Sequence, residues 1–221
     1  MLSQLDNIIY PDRCEVLEVI PSQRYVYVIF KNGYTSLTKS KIINKWRTLI
    51  NEQIRSLDSV DIILRDPEER LVSGVNTYLQ YLIKENPQLD EETVLWFIKN
   101  YLFLNRHYCL QFSWLLNLAR YANATTKFNF LGMDELNSIS GFDEKPRGID
   151  PMPSDLRDKL RDISQWEMFH RLDNCLLECV GQSLTFAEVV EYIQKRDPHA
   201  YSSVIEKSIK VIEPLNVLRK I

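Results

Sequence analysis

SVDIILRDPEERLVSGVNTYLQYLI, residues 59–83, is the stretch on which the fold turns. Its opening, SVDIIL at 59–64, reads as a strand. Asp66 can then cap a helix and Pro67 can occupy the first helical position. Glu68 and Glu69 suit the positive end of that helix. Working outward, RYVYVIF at 24–30 reads as a buried strand. Between the two, Ile42, Ile43, Trp46, Leu49 and Ile50 form one stripe of a 3.6-residue period. Strand, helix, strand, helix at this spacing predicts an α/β fold with parallel strands and right-handed crossovers. Ligands of such sheets collect at the strands' carboxyl ends.

Further along, Val94, Leu95, Ile98, Tyr101 and Leu102 mark an amphipathic helix, and KFNFLG at 127–132 another strand. WLLNLARY at 114–121 fits either period and stays open. SISGFDEKPRGIDPMPS, residues 138–154, holds three prolines and two glycines and is expected to be a long loop, able to act as a lid. From Ser154 on the pattern is helical: Leu156, Leu160 and Ile163 share one face, and Phe186, Val189, Val190 and Ile193 share another.

The 221 residues suffice for one domain with its own core. A net charge of −3, with acids and bases well mixed, argues against a general nucleic-acid or anionic-membrane surface. No export signal or membrane anchor is visible, which leads to the expectation of a soluble, cytoplasmic protein. Cys14, Cys109, Cys175 and Cys179 have the spacing of neither a disulfide framework nor a metal site, and read as buried thiols in a reducing compartment.

Two polar clusters sit where the first two strands end. In KNGYTS, residues 31–36, Gly33 allows a positive φ, Lys31 brings a mobile charge, and Thr35 and Ser36 bring hydroxyls. A strand-to-helix loop of this kind suits a phosphate. It is not a Walker A loop, which needs G-x-x-x-x-G-K-[ST]. Asn-Gly after a strand is equally a good hairpin turn. In the second cluster Arg65 ends the strand and Ser73 lies nearly two turns into the helix behind it. Arg65 could grip an anion in a bidentate fork, or could simply pair with Asp66 or Glu69.

Taken in order, K-N-G-Y-T-S and L-R-D-P-E-E-R-L-V-S resemble the phosphosulfate-binding loop and the 3′-phosphate-binding motif of the sulfotransferases. The second is similar to the RDP-x-x-RLVS of the carbohydrate sulfotransferase branch, which includes the chondroitin 4-sulfotransferases. H-Y-C-L-Q at 107–111 resembles that branch's H-W-x-P-Q, and F-N-F-L-G-M-D-E-L at 128–136 its Y-D-F-I-G-x-x-E-x-L. Phe30, the run Gly74-Val75-Asn76 and Met133 depart from the family pattern.

The resemblance implies a P-loop-like three-layer fold with a central parallel sheet. A single domain would then hold a cofactor-binding core at about 24–136, the loop at 138–154 and a helical part at 155–221. It implies 3′-phosphoadenosine 5′-phosphosulfate (PAPS) as cofactor, with sulfuryl transfer to a hydroxyl of a carbohydrate or small molecule. By position, Lys31 would contact the phosphosulfate and help neutralise the leaving phosphate. The amides of Asn32, Gly33, Tyr34, Thr35 and Ser36 would surround the 5′-phosphate, and Arg65 and Ser73 would hold the 3′-phosphate. His107 is the candidate base, with Glu68, Glu69 and Asp134 in reserve. Gln111 could orient His107 or touch the acceptor. His170 and His199 fall in the helical tail, and no constellation calls for a metal. Two other readings compete: a catalytically inactive nucleotide-binding interaction module of the same fold, and a kinase-like P-loop enzyme using ATP.

Overall fold

The computed structural model of the chain describes residues 14–19, 23–29, 32–33, 51–85, 109–140 and 166–203, together with 90, 92–93, 95–96 and 158. Five strands, β1 (Val16–Val19), β2 (Arg24–Tyr27), β3 (Ser59–Ile63), β4 (Lys127–Leu131) and β5 (Ser183–Thr185), form one sheet in that order. β2, β3 and β4 run parallel, as expected of strands separated by helices. The expected parallel sheet stops there, because β1 pairs antiparallel with β2 and β5 antiparallel with β4. Both edge strands escaped the sequence reading. β1 is only four residues, VLEV, and reverses into β2 through a turn with Gln23 at φ 52°. β5 is three residues that run straight into a helix, inside a stretch read as wholly helical.

The described helices are α1 (Asn51–Arg55), α2 (Pro67–Glu85), α3 (Gln111–Tyr121), α4 (Leu136–Ser140), α5 (Trp166–Leu177) and α6 (Phe186–Arg196). α2 begins as its sequence requires, with Pro67 first and the Asp66 carboxylate accepting the Glu69 N–H at 2.9 Å. WLLNLARY resolves as the body of α3. Every residue from Gln111 to Leu118 is buried, all the way round the helix, so no stripe could show in the sequence. Ser138–Ser140 belong to α4, and the rest of the expected loop, 141–154, lies outside the described residues. So do the stripes at 42–50 and 156–163, and most of the one at 94–102.

Side chains alternate across the central strands and bury both faces of the sheet. Tyr27, Ile29, Val60, Ile62, Phe128 and Phe130 face the larger core, which α2, α3, α5 and α6 complete with Val72, Leu115, Leu172 and Ile193 among others. Leu17, Val26, Val28 and Ile63 face the opposite way, against Leu136 and Ile139 of α4. Strands covered on two faces read as continuous apolar runs, which is why β2 and β3 were legible. The polar exception, Asp61, belongs to a row across one face: it accepts from Arg24 Nε at 2.5 Å and from Asn129 Nδ2 at 2.9 Å, while Ser183 donates to Asn129 at 2.7 Å.

The C-terminal elements share the main core rather than hanging from it. All four cysteines are buried free thiols. Burial pushes Cys14 up to about 12 and Cys109 up to about 11, so neither carries thiolate near neutrality. Among the described residues no helix is long and apolar enough to cross a membrane.

Candidate functional site

Because β2, β3 and β4 are parallel, the chain leaves all three at the same end of the sheet. After β2 it turns at once: the Asn32 N–H donates to the Ile29 carbonyl at 3.0 Å, and Gly33 follows at φ +84°. That conformation favours glycine, and the packing adds a second demand. A Cβ on Gly33 would stand 2.5 Å from Leu136 Cδ2. With β1 on one edge of β2 and β3 on the other, Asn32-Gly33 does not begin a hairpin partner for β2.

Asn32 is the first of the amides that the resemblance places around the 5′-phosphate. Its N–H closes the turn, and its buried side chain points inward, Nδ2 donating to the Ile63 carbonyl at 2.8 Å and to Gln111 Oε1 at 2.5 Å. The chain after β3 meets the same glutamine. The Arg65 N–H donates to Gln111 Oε1 at 3.1 Å, and the Arg65 carbonyl accepts from Gln111 Nε2 at 2.8 Å. One fully buried carboxamide therefore grips the backbone after β3 and the side chain after β2.

Gln111 is itself held from behind. It opens α3, and the residue before it, Leu110, has no side chain able to cap a helix. The Asp173 carboxylate, from α5, does that work across the core, accepting the N–H of Gln111 at 2.8 Å and of Phe112 at 3.1 Å. Arg70, only 2% exposed, donates to the Cys109 carbonyl and supplies the counter-charge to Asp173. Burial pushes the Asp173 carboxyl up to about 6, against the pull of Arg70 and of the two amides. Burial likewise lowers Arg70, with Cys109 and Asp173 opposing.

The Arg65 side chain, 16% exposed, leans on the more open Glu69 at 3.4 Å, one turn further along. A pair this long contributes about 0 to 1 kcal/mol. The N-terminus of α2 has less to give. Pro67 lacks an N–H, Asp66 already takes that of Glu69, and Glu68 adds a further carboxylate. Ser73 is half-buried, about 9 Å along the α2 axis from Pro67. After β4 the chain forms a 3₁₀ turn, Met133–Glu135, with Asp134 exposed, and then Leu136, which covers Gly33.

The structure thus brings Asn32, Gly33 and Arg65 together, with Asp134 on the third loop at that end. Lys31, Tyr34, Thr35, Ser36 and His107 lie outside the described residues. His170 is half-buried on α5, three residues before Asp173, and His199 is exposed. Among the described residues no group of three His, Cys, Asp or Glu side chains could hold a metal ion. Sequence reasoning missed Arg70 and Asp173. Their signal was a charge beside apolar neighbours on each helix, Leu71 and Val72 for one, Leu172 and Leu176 for the other. No family model, curated protein or solved structure matches the chain.

Proposed function

We propose that the chain is a sulfotransferase that moves the sulfuryl group of PAPS to a hydroxyl of a carbohydrate or small-molecule acceptor. One observation carries the reading. The two loops that resemble the family's phosphate-binding motifs leave adjacent parallel strands at one end, joined through Asn32 and Gln111, with Gly33 of the first in the left-handed region and the backbone of Arg65 in the second held by that glutamine. A ligand with two separated phosphates fits that chemistry, since the first loop offers backbone at a glycine and the second a guanidinium.

In this reading the core is P-loop-like and the protein works in the cytoplasm. Gly33, Tyr34, Thr35 and Ser36 surround the 5′-phosphate with Lys31, while Arg65 and Ser73 take the 3′-phosphate. Asn32, given its bonds, shapes the first loop. Bound PAPS would supply an activated sulfuryl group on a phosphate leaving group. Lys31 places positive charge where the leaving phosphate gains negative charge. His107 accepts the acceptor hydroxyl's proton on an imidazole nitrogen, with Glu68, Glu69 and Asp134 as the carboxylate reserves. The rigid join between the loops holds the reactants in line, which accounts for much of what such a transfer asks of a protein.

The test is thermal unfolding with 3′-phosphoadenosine 5′-phosphate, the desulfated product, beside ADP and ATP at equal concentration. A ligand at 100 times its dissociation constant adds about 2.7 kcal/mol, or roughly 5–11 °C for a chain of this size. Stabilisation by the 3′-phosphorylated nucleotide alone, lost in Arg65→Ala, is the expected result. Equal stabilisation by ATP would favour a kinase-like enzyme, and no stabilisation by any nucleotide would favour an interaction module.

A further inference from the structure

We propose that Gln111 is a positioning residue that sets the spacing of the two phosphate-binding loops, and so sets the preference for a nucleotide phosphorylated at both 3′ and 5′ positions. The inference rests on the nucleotide reading above and deepens it. Three hydrogen bonds from one carboxamide reach both loops: Oε1 accepts from Asn32 Nδ2 at 2.5 Å and from the Arg65 N–H at 3.1 Å, and Nε2 donates to the Arg65 carbonyl at 2.8 Å. Gripping both the N–H and the carbonyl of Arg65 fixes the peptide from which the guanidinium springs. Gripping Asn32 fixes the residue before Gly33. Gln111 is fully buried, and its own backbone is anchored to Asp173, so it touches the loops from beneath and has no exposed surface for a ligand.

Two phosphates on one nucleoside form a bivalent ligand. Once the first is seated, the second binds at an effective concentration set by how well its site is placed, and that gain vanishes when the spacing is wrong. Adenosine 5′-phosphate, with one phosphate, gains nothing from the spacing between the loops and feels the join only through Asn32 in the first of them.

The test compares wild type, Gln111→Met and Gln111→Asn, each titrated calorimetrically with adenosine 3′,5′-bisphosphate and with adenosine 5′-phosphate. Methionine keeps the length and loses all three bonds. Asparagine stays neutral but is one methylene too short to reach both loops, and serves should Gln111→Met fail to fold. Wild type should prefer the bisphosphate by about 100-fold or more, the scale of a second linked contact. In either folded variant the bisphosphate should lose at least about fivefold more affinity than the 5′-monophosphate, so that the preference falls by that factor. Hydrogen exchange without ligand should show the Arg65 amide opening faster in Gln111→Met. Equal loss for both nucleotides would mark Gln111 as merely structural and overturn the proposal. A wild-type preference that survives in the variants would overturn it too. A wild type with no preference would refute the nucleotide reading itself, a separate failure.

Discussion

Gly33→Ala tests the turn on which the first loop depends, and its sign alone is diagnostic. At a position with ordinary backbone angles, alanine for glycine stabilises by about 0.4–1 kcal/mol, because the unfolded chain loses freedom. Gly33 is at φ +84°, where an L side chain costs about 1–2 kcal/mol. The new methyl would also lie 2.5 Å from Leu136 Cδ2 and 3.2 Å from Cδ1. Leu136 is buried against the sheet and can yield only by shifting within its own core, at about 1–2 kcal/mol more. Less that unfolded-state gain, we therefore expect a net loss of about 1–3 kcal/mol, read as a lower midpoint in urea at unchanged slope. Leu136→Ala supplies the control. Alone it opens a cavity costing about 2–5 kcal/mol; combined with Gly33→Ala it removes the overlap, so the double variant should be about 1–2 kcal/mol more stable than the sum of the singles. A Gly33→Ala protein as stable as wild type, or more so, would show that residue 33 does not hold a left-handed conformation. Strict additivity with Leu136→Ala would show that Leu136 is not the neighbour.

Asp173 should give stability a pH dependence of a defined sign. Its folded value of about 6 exceeds its ordinary 3.8, so the stability it contributes is full below about pH 4 and is lost as pH rises through 6; the shift is worth about 3 kcal/mol. Relative to wild type, Asp173→Asn should therefore gain by up to that amount between pH 4 and pH 7.5, and a constant gap across the range would refute it. Thr185 accepts the Glu188 N–H at 3.3 Å and Glu188 Oε2 returns to the Thr185 N–H at 2.6 Å, so Thr185→Ala should cost about 1 kcal/mol in urea denaturation, mostly restored by serine. Lys31→Ala should abolish sulfuryl transfer with a smaller loss of product-nucleotide affinity, and equal turnover would remove Lys31 from the mechanism.

What the sequence disclosed follows from how local each cause is. Asp66 and Pro67 announced α2 because a cap and a first-turn proline act within a few residues, and the structure has both in place. β2, β3 and KFNFLG were legible because strands buried between layers carry short apolar runs. α3 was not, since burial on every side erases the period that marks a helix. β5 hid because Thr185 ends the strand and caps α6 at once, leaving no turn residues between them. In the site, Gly33 and Arg65 stood out by residue type and position after a strand. Asn32 reads as one more loop amide because the turn that uses its N–H, donating to the Ile29 carbonyl, is not visible in the sequence. Arg70 and Asp173 depend on each other across the core, and nothing near either residue names its partner.

The topology accounts for which polar groups gather at one end of the sheet. β1 and β5 run against their neighbours, so only β2, β3 and β4 send their following loops to one end, and α3 begins there beneath them. At that end the polar groups divide by burial. Beneath lie the carboxamides of Asn32 and Gln111, whose hydrogen bonds do not depend on pH, and further in lies the charged pair of Arg70 and Asp173. Nearer solvent lie Arg65, Glu69 and Asp134. Neutral amides are cheaper to bury than ions, and paired on each other they fix geometry without setting a field that a ligand's charge would have to overcome. Charge changes at Arg65 or Glu69 should therefore alter ligand affinity with little effect on the loops' spacing. A change at Gln111 should alter the spacing first and affinity only through it.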